Sequence, residues 1–145
     1  MDVRSDRRYR FGVEPAELWS KLTSVEDYRS WWPWLVGFDA GGFQTGERWA
    51  CVVQPPLPYS LRFDLVIGDV IVERSVTATI EGDIIGHARL DLAPSGEGSD
   101  LRLTSQLAPS NAMLRVVARI AKPVVRFGHD WVIDTGLRQF EAHAF

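Results

Sequence analysis

The last third of the chain, residues 110–145, constrains the fold most, because its apolar residues recur at helical spacing. At about 100° per residue, the pattern predicts one long helix that begins at an N-capping Ser110. The predicted apolar arc of this helix contains Val125, His129, Val132, Ile133, Gly136, Leu137 and Phe140, and the predicted polar arc contains Arg126, Asp130, Asp134, Arg138 and Glu141. A single histidine within an apolar arc suggests that the helix closes a cavity with a polar group in its wall.

The stretch before this helix alternates with a period of two, which is typical of β-strands. Strands are predicted at 35–40, 47–54, 59–67, 70–80, 83–93 and 100–108. Glycine, proline and aspartate mark the breaks between them, and Gly68-Asp69 predicts a two-residue hairpin. Short connections of this kind favour an antiparallel sheet, since parallel strands need crossovers of about a dozen residues or more.

A further strand and two short helices precede these strands. Residues 4–12 alternate as a first strand, with Tyr9 and Phe11 on one side. Pro15 suits the first position of a helix, and a second short helix is predicted from a Ser24 cap to the residue before Pro33. The element order predicts an α+β fold in which residues 1–145 form one domain.

Composition narrows the classes of function. The net charge of −3 and the isoelectric point near 5.6 argue against a nucleic-acid partner. Cys51 is the only cysteine, so the chain forms no disulfide within itself and a reducing compartment is expected. No apolar leader follows Met1 and no run of about 18 apolar residues is present. We therefore expect a cytoplasmic protein without a membrane span.

Strand alternation predicts which side chains face the long helix. The predicted inward residues are Trp49, Cys51, Val53, Leu61, Phe63, Leu65, Ile67, Val70, Val72, Val76, Ala78, Ile80, Ile84, Ala88, Leu90, Leu92, Leu101, Leu103 and Leu107. Arg74 shares their register, which is unusual because an unpaired buried charge is costly. His87 shares its face with charged residues and is predicted to point to solvent.

Motifs for metals and cofactors are not evident in this sequence. It has no HExxH, CxxC or phosphate-binding glycine loop, so neither a metal nor a cofactor is expected. Cys51 is interpreted as a small buried hydrophobe rather than a nucleophile.

His129 leaves two interpretations open. In the first it is a structural core histidine whose ring nitrogens are both hydrogen-bonded. In the second it faces the cavity as a general acid/base, because imidazole titrates near neutral pH. Arg74 or Tyr59 would then polarise the oxygen of an enolisable ligand. Asp130 is assigned to the solvated charged face of the helix.

Several short motifs, in this order, resemble the START-like helix-grip superfamily, also called SRPBCC, and within it the polyketide cyclase/dehydrase-like branch. They are Trp31-Trp32-Pro33, Leu57-Pro58-Tyr59, Gly82-Asp83-Ile84-Ile85-Gly86, Lys122-Pro123, Gly128-His129-Asp130-Trp131-Val132 and Gly136-Leu137. The resemblance covers nearly the whole chain. It implies a curved antiparallel sheet wrapped around the long C-terminal helix, with an apolar cavity between them. Members bind lipids, hormones and polyketides, and a minority catalyse cyclisation or dehydration.

The sequence is compatible with three functions. The first is binding of a small, largely apolar ligand, of polyketide, lipid or aromatic type, in this cavity. The second is a cofactor-independent cyclase or dehydratase that uses His129. The third is a protein-interaction module built on an exposed surface near 31–34, which could also mediate a homodimer. The candidate ligand-binding residues are Trp32, Trp49, Tyr59, Phe63, Arg74, Val125 and Ile133.

Overall fold

The structure, a computed structural model, describes residues 3–56, 60–110, 112, 115–116 and 122–145. Its strands are β1 (Val3–Phe11), β2 (Leu35–Asp39), β3 (Arg48–Val53), β4 (Leu61–Ile71), β5 (Ser75–Gly82), β6 (Ile84–Ser95) and β7 (Gly98–Pro109). Its helices are α1 (Pro15–Leu22), a 3₁₀ turn (Val25–Asp27), α2 (Tyr28–Trp31) and α3 (Lys122–Ala144). Among these helices, none is long and apolar enough to cross a membrane.

The strands form one seven-stranded sheet in the order β1-β7-β6-β5-β4-β3-β2, and every pairing is antiparallel. The sheet curls into a half-barrel, and α3 packs against its concave side. In β1, Val3, Ser5 and Phe11 are buried, while the residues between them are more exposed. This alternation gives the sheet one solvated face and one face for the core. The predicted α+β helix-grip fold is confirmed.

The predicted start of the long helix is only partly described. The backbone N–H of Ser110 donates to the carbonyl of Asp83 at 2.9 Å, and its hydroxyl donates to the carbonyl of Gly82. Both contacts tie the end of β7 to the β5–β6 turn. The residues that would form the first turn after Ser110 lie largely outside the described part, so its capping role stays a prediction.

The hairpin predicted at Gly68-Asp69 is wrong. Strand β4 continues through this pair to Ile71, and the register shifts between Ile67 and Val70, which is a β-bulge. The backbone N–H of Asp69 donates to Oγ1 of Thr77 at 2.9 Å, so the bulge is held by β5. The chain reverses instead at residues 72–74, where Glu73 has a φ of 63°.

This turn also corrects the predicted position of Arg74. Because β4 ends at Ile71, the strand alternation does not extend to Arg74, and its side chain is exposed to solvent rather than turned inward. Val72, another predicted inward residue, is exposed for the same reason.

An aromatic core fills one end of the space between sheet and helices. Tyr28, Trp31 and Trp49 are buried there, and the Tyr28 ring lies within 5.8 Å of both tryptophan rings. Further along α3, Phe140 packs edge-on against Phe11 at 5.7 Å and against Trp31 at 5.4 Å. The C-terminal half of α3 is therefore anchored by aromatic contacts.

Candidate functional site

A cavity of about 300 Å³ lies between the sheet and the N-terminal half of α3. Its described lining is Val3, Val53, Pro55, Leu61, Phe63, Leu65, Ile80, Ile84, Ala88, Leu103, Ser105, Leu107, Ala108, Pro109, Gly128, His129, Val132 and Ile133. Within this set, only Ser105 and His129 carry polar side-chain atoms. The Ser105 hydroxyl lies 2.8 Å from that of Ser5 on the neighbouring strand. The cavity is therefore suited to apolar molecules.

The cavity exists because the large aromatic side chains are concentrated elsewhere. The part of α3 that faces it presents Gly128, His129, Val132 and Ile133, and the centre of β6 contributes only Ala88. These side chains leave space that the tryptophans and Phe140 fill at the other end of the helix.

His129 forms part of the cavity wall. The side chain is 11% exposed, and its Nδ1 lies 3.1 Å from Oδ1 of Asp130. Its Nε2 is buried and has no hydrogen-bond partner among the described residues. Burial lowers the pKa of His129, while the carboxylate of Asp130 acts in the opposite direction. The imidazole is thus neutral at neutral pH.

The tautomer of His129 follows from its neighbour. A carboxylate can only accept hydrogen bonds, so we assign the ring proton to Nδ1, which donates to Asp130. The lone pair of Nε2 is then a buried acceptor without a donor among the described residues. Such a nitrogen can accept a hydrogen bond or take a proton.

Charged side chains hold Asp130 in place. Its carboxylate lies 3.3 Å from Nη2 of Arg7 and 3.4 Å from Nε of Arg126, one helical turn earlier. Arg7 also reaches Asp134 at 3.3 Å, and the Tyr9 hydroxyl donates to the same Asp134 oxygen at 3.2 Å. The network joins β1 to α3 beside the cavity.

This network corrects the sequence-based interpretation of Asp130. Its side chain is 31% exposed and contacts His129, whereas the helical pattern assigns it to the solvated charged face. The missing partner is Arg7, which comes from the first strand. The sequence does contain an indication of this contact, because Arg7 shares the inward register of Tyr9 and Phe11. An arginine on that face needs a carboxylate partner, since an unpaired buried charge is costly.

The predicted site residues divide into groups. Phe63, Ile133 and His129 meet at the cavity. Tyr59 and the side chain of Val125 lie outside the described part of the chain, so their roles stay predictions. Many of the other predicted inward residues, such as Val53, Leu65, Ile80, Ala88 and Leu103, also line the cavity.

Two tryptophans that are predicted to bind the ligand pack against the aromatic core instead. Trp49 is buried, donates from Nε1 to the carbonyl of Gly42 at 2.8 Å, and packs against Tyr28. Trp32 is half-buried and donates from Nε1 to the carbonyl of Gly136 at 2.8 Å. Neither is among the lining residues of the cavity.

Trp34, also half-buried, donates from Nε1 to the Gln139 side chain at 2.8 Å. These contacts direct residues 31–34 towards α3.

The described part of the chain contains no cluster of side chains that could bind a metal ion. There, no three His, Cys, Asp or Glu side chains come together in a way that could hold a metal ion.

Comparison with known proteins identifies the fold. No protein-family model matches the sequence, and no curated protein matches it. The structure of TTHA0849 from Thermus thermophilus is similar, with a TM-score of 0.80 and 14% identity over 99% of this chain and 97% of that chain. A START superfamily protein from Mycobacterium smegmatis gives a TM-score of 0.75 and 12% identity, covering 97% of this chain and 96% of that chain.

The structure of an enzyme is also similar to that of this chain. Norcoclaurine synthase from Thalictrum flavum, in complex with dopamine and hydroxybenzaldehyde, gives a TM-score of 0.69 and 10% identity over 98% of this chain and 86% of that chain. At these identities the likeness shows the fold. The chain has the START-like helix-grip fold.

Proposed function

We propose that this protein binds a small, largely apolar ligand of polyketide, lipid or aromatic type in the cavity beneath α3. The observation that carries the proposal is the cavity of about 300 Å³ whose described lining is apolar apart from Ser105 and His129. Transfer of apolar ligand surface from water into such a site stabilises a complex by about 25 cal/mol per Å², before the costs of association. The bound aromatic molecules of norcoclaurine synthase, a protein of similar fold, also support it.

The proposal treats the chain as one cytoplasmic domain whose partner is a small molecule. The net charge of −3 supports this choice over nucleic acid. The half-buried packing of Trp32 and Trp34 against α3 gives no support to a protein-docking surface at 31–34.

The test is binding with a blocked cavity. The purified protein is incubated with a panel of polyketide-like, steroid, fatty-acid and bicyclic aromatic compounds, and native mass spectrometry reports what stays bound. Ala88→Leu places a larger side chain in the cavity and is expected to abolish retention. Ala50→Leu makes the same change at an exposed position on β3 and is the matched control.

Two results would contradict ligand binding in this cavity. One is a wild-type protein that retains no compound from the panel. The other is retention by Ala88→Leu that equals retention by wild type and by Ala50→Leu. Circular dichroism and thermal unfolding establish that both variants are folded before binding is compared.

A second candidate function is cofactor-independent cyclisation or dehydration with His129 as general acid/base. It is favoured by the buried Nε2, which has no partner among the described residues, and by the carboxylate at Nδ1. Nε2 would take a proton from the carbon next to a ligand carbonyl, and Asp130 would stabilise the imidazolium. In a dehydration, the same proton would pass to the departing hydroxyl, which leaves as water.

Of the two oxygen-polarising partners suggested by the sequence, Arg74 does not support this mechanism, and the role of Tyr59 stays a prediction. Arg74 is exposed at the β4–β5 turn, and Tyr59 lies outside the described residues. The test is incubation with an aryl β-hydroxyketone, followed by mass spectrometry for the loss of water. Turnover lost in His129→Gln, with binding retained, supports the role of His129, and unchanged turnover contradicts it.

A further inference from the structure

We infer that the cavity prefers an apolar ligand carrying a single neutral hydroxyl donor, such as a phenol, and that Asp130 sets this preference by fixing the tautomer of His129. The inference rests on the proposed ligand-binding function and adds the chemistry of the ligand's one polar group. It follows from the arrangement of His129, Asp130 and Arg7 beside an otherwise apolar wall.

The hydrogen bond at Nδ1 runs from His129 to Asp130. Oδ1 of Asp130 is 3.1 Å from Nδ1 of His129 and 3.3 Å from Nη2 of Arg7. The guanidinium only donates and the carboxylate only accepts, so the pair is organised with the proton on Nδ1. A second arginine, Arg126, contacts the other oxygen, Oδ2, at 3.4 Å. The carboxylate is thereby held towards the ring from both sides.

The other ring nitrogen, Nε2, is an acceptor that receives no hydrogen bond from the described residues. This nitrogen is buried and unpartnered among the described residues, and a buried acceptor without a donor is costly. The only other polar side chain in the described lining, Ser105, already pairs with Ser5 at 2.8 Å. A ligand hydroxyl would supply the donor that Nε2 lacks.

The same nitrogen disfavours ligands whose polar group can only accept hydrogen bonds. An ether or ketone oxygen would place its lone pairs against the lone pair of Nε2, and it would gain nothing there. A carboxylate head group would lose its hydration to an apolar wall in which the described lining offers no cation. The site therefore discriminates between ligands of similar size and shape by whether their polar group can donate a hydrogen bond.

Access to Nε2 requires a local adjustment. The His129 side chain keeps 11% of its surface exposed, whereas Nε2 itself is covered. A hydroxyl-bearing ligand would reach it after a small displacement of the atoms that cover it. A closely matched ligand pair isolates this contact, because both members require the same displacement.

The experiment measures the affinities of naphthalene, 2-naphthol and 2-methoxynaphthalene by isothermal titration calorimetry. In wild type, the ratio of 2-naphthol affinity to 2-methoxynaphthalene affinity is expected to exceed the ratio in His129→Leu by about tenfold, the equivalent of one hydrogen bond. His87→Leu removes an exposed histidine on β6 and is expected to keep the wild-type ratio. Naphthalene measures the apolar contribution in each variant.

The positioning role of Asp130 is tested separately. Asp130→Leu removes the acceptor at Nδ1 and is expected to lower the ratio to that of His129→Leu. Asp130→Asn retains an oxygen that can accept from Nδ1 and is expected to keep an intermediate ratio. Asp6→Leu breaks an arginine pair on the outer face, with Arg102 at 2.6 Å, and serves as the control for loss of a surface ion pair.

A measurement on the wild-type protein keeps the inference testable if a variant does not fold. Nitrogen-15 NMR of histidine-labelled protein reports which ring nitrogen of His129 carries the proton. A proton on Nδ1 supports the inference, and a proton on Nε2 overturns it.

The outcomes separate this inference from the proposed function. Equal affinity ratios in wild type and His129→Leu, with both proteins binding the compounds, overturn the hydroxyl preference and leave ligand binding intact. Failure of wild type to bind any of the three compounds or any member of the larger panel overturns both. A ratio that falls in His129→Leu and Asp130→Leu, but not in Asp6→Leu or His87→Leu, supports both.

Discussion

Nδ1 of His129 and Oδ1 of Asp130 lie 3.1 Å apart although the two residues are consecutive in helix α3. Consecutive helical side chains point about 100° apart, so helix geometry alone does not bring them together. Nη2 of Arg7, from β1, lies 3.3 Å from the same Oδ1 and holds the carboxylate at the edge of the cavity. A tertiary contact thus turns two neighbours in sequence into a hydrogen-bonded pair.

Acid is expected to destabilise the protein through His129. Its pKa is lowered from 6.5, mainly by burial, so the unfolded chain takes up the proton at a higher pH than the native state does. Stability is therefore full above about pH 6.5 and falls as the pH drops through the native pKa. The charges near the ring are Asp130, which raises this pKa, and Arg126 and Arg7, which lower it.

Urea unfolding between about pH 7.5 and pH 5 checks this expectation. His129→Gln should show a smaller loss of unfolding free energy over this range than wild type. His87→Gln, at an exposed site on β6, should behave like wild type. A pH dependence in His129→Gln identical to that of wild type would contradict the assignment.

Substitution of Gly136 is expected to destabilise the packing of α3 against residues 31–34. A Cβ at this position would lie 3.0 Å from Cζ2 of Trp34. Trp34 has little freedom to move, because its Nε1 donates to Gln139 at 2.8 Å and its ring stacks on Trp32 at 5.7 Å. The overpacking cost, roughly 1–3 kcal/mol, should exceed the gain of about 1 kcal/mol from replacing a helical glycine by alanine.

Chemical unfolding of Gly136→Ala measures the net loss, expected to be about 1 kcal/mol. The double-mutant cycle with Trp34→Ala identifies its cause. In the Trp34→Ala background, Gly136→Ala should be neutral or stabilising, because the ring that the new methyl meets is gone. Equal destabilisation in both backgrounds would show that the clash is not with Trp34.

The thiol of Cys51 is expected to be inert in the native protein. It is buried in β3, and burial, with a smaller contribution from the charge of Asp64, raises its pKa to about 12. The thiolate is the reactive species, so an aromatic disulfide reagent at about pH 8 should label Cys51 only after urea unfolds the chain. Rapid labelling of the whole protein without urea would contradict this burial. Cys51→Ser supplies the blank.

The inward faces of the strands could be predicted from the sequence because burial leaves a period-two pattern. Alternation assigns Phe63, Leu65, Ile80 and Leu103 to one face, and all four line the cavity. The same rule does not locate a residue along the strand. Trp49 shares the inward face of β3 with the lining residue Val53 but lies about 13 Å away at strand spacing, among the aromatic rings.

The parts of the site that could not be predicted depend on partners distant in sequence. The helical pattern places Asp130 on the polar arc, and only its contact with Arg7 brings it to His129. The exposed position of Arg74 depends on where the chain reverses after β4. Gly68-Asp69 has the composition of a hairpin turn, but a bulge uses the same residues, and pairing with β5 decides between them.

Gly68 in the β4 bulge is expected to be intolerant of any side chain. An added Cβ would lie 2.6 Å from Oγ1 of Thr77 and 3.2 Å from its carbonyl oxygen. Thr77 cannot rotate away freely, because its Oγ1 accepts the backbone N–H of Asp69 at 2.9 Å. Gly68→Ala should therefore lower the free energy of unfolding by about 1–3 kcal/mol through overpacking.

Urea unfolding of Gly68→Ala is compared with that of Gly12→Ala, where an added Cβ meets nothing within 4 Å. Gly12→Ala should be close to neutral or slightly stabilising, since alanine restricts the unfolded chain more than glycine does. Thr77→Ala combined with Gly68→Ala should recover part of the loss, because the nearest clashing atom is removed while the carbonyl contact remains. Equal stability of the two single glycine variants would mean that the bulge leaves room for a side chain and that its packing against β5 is looser than these distances indicate.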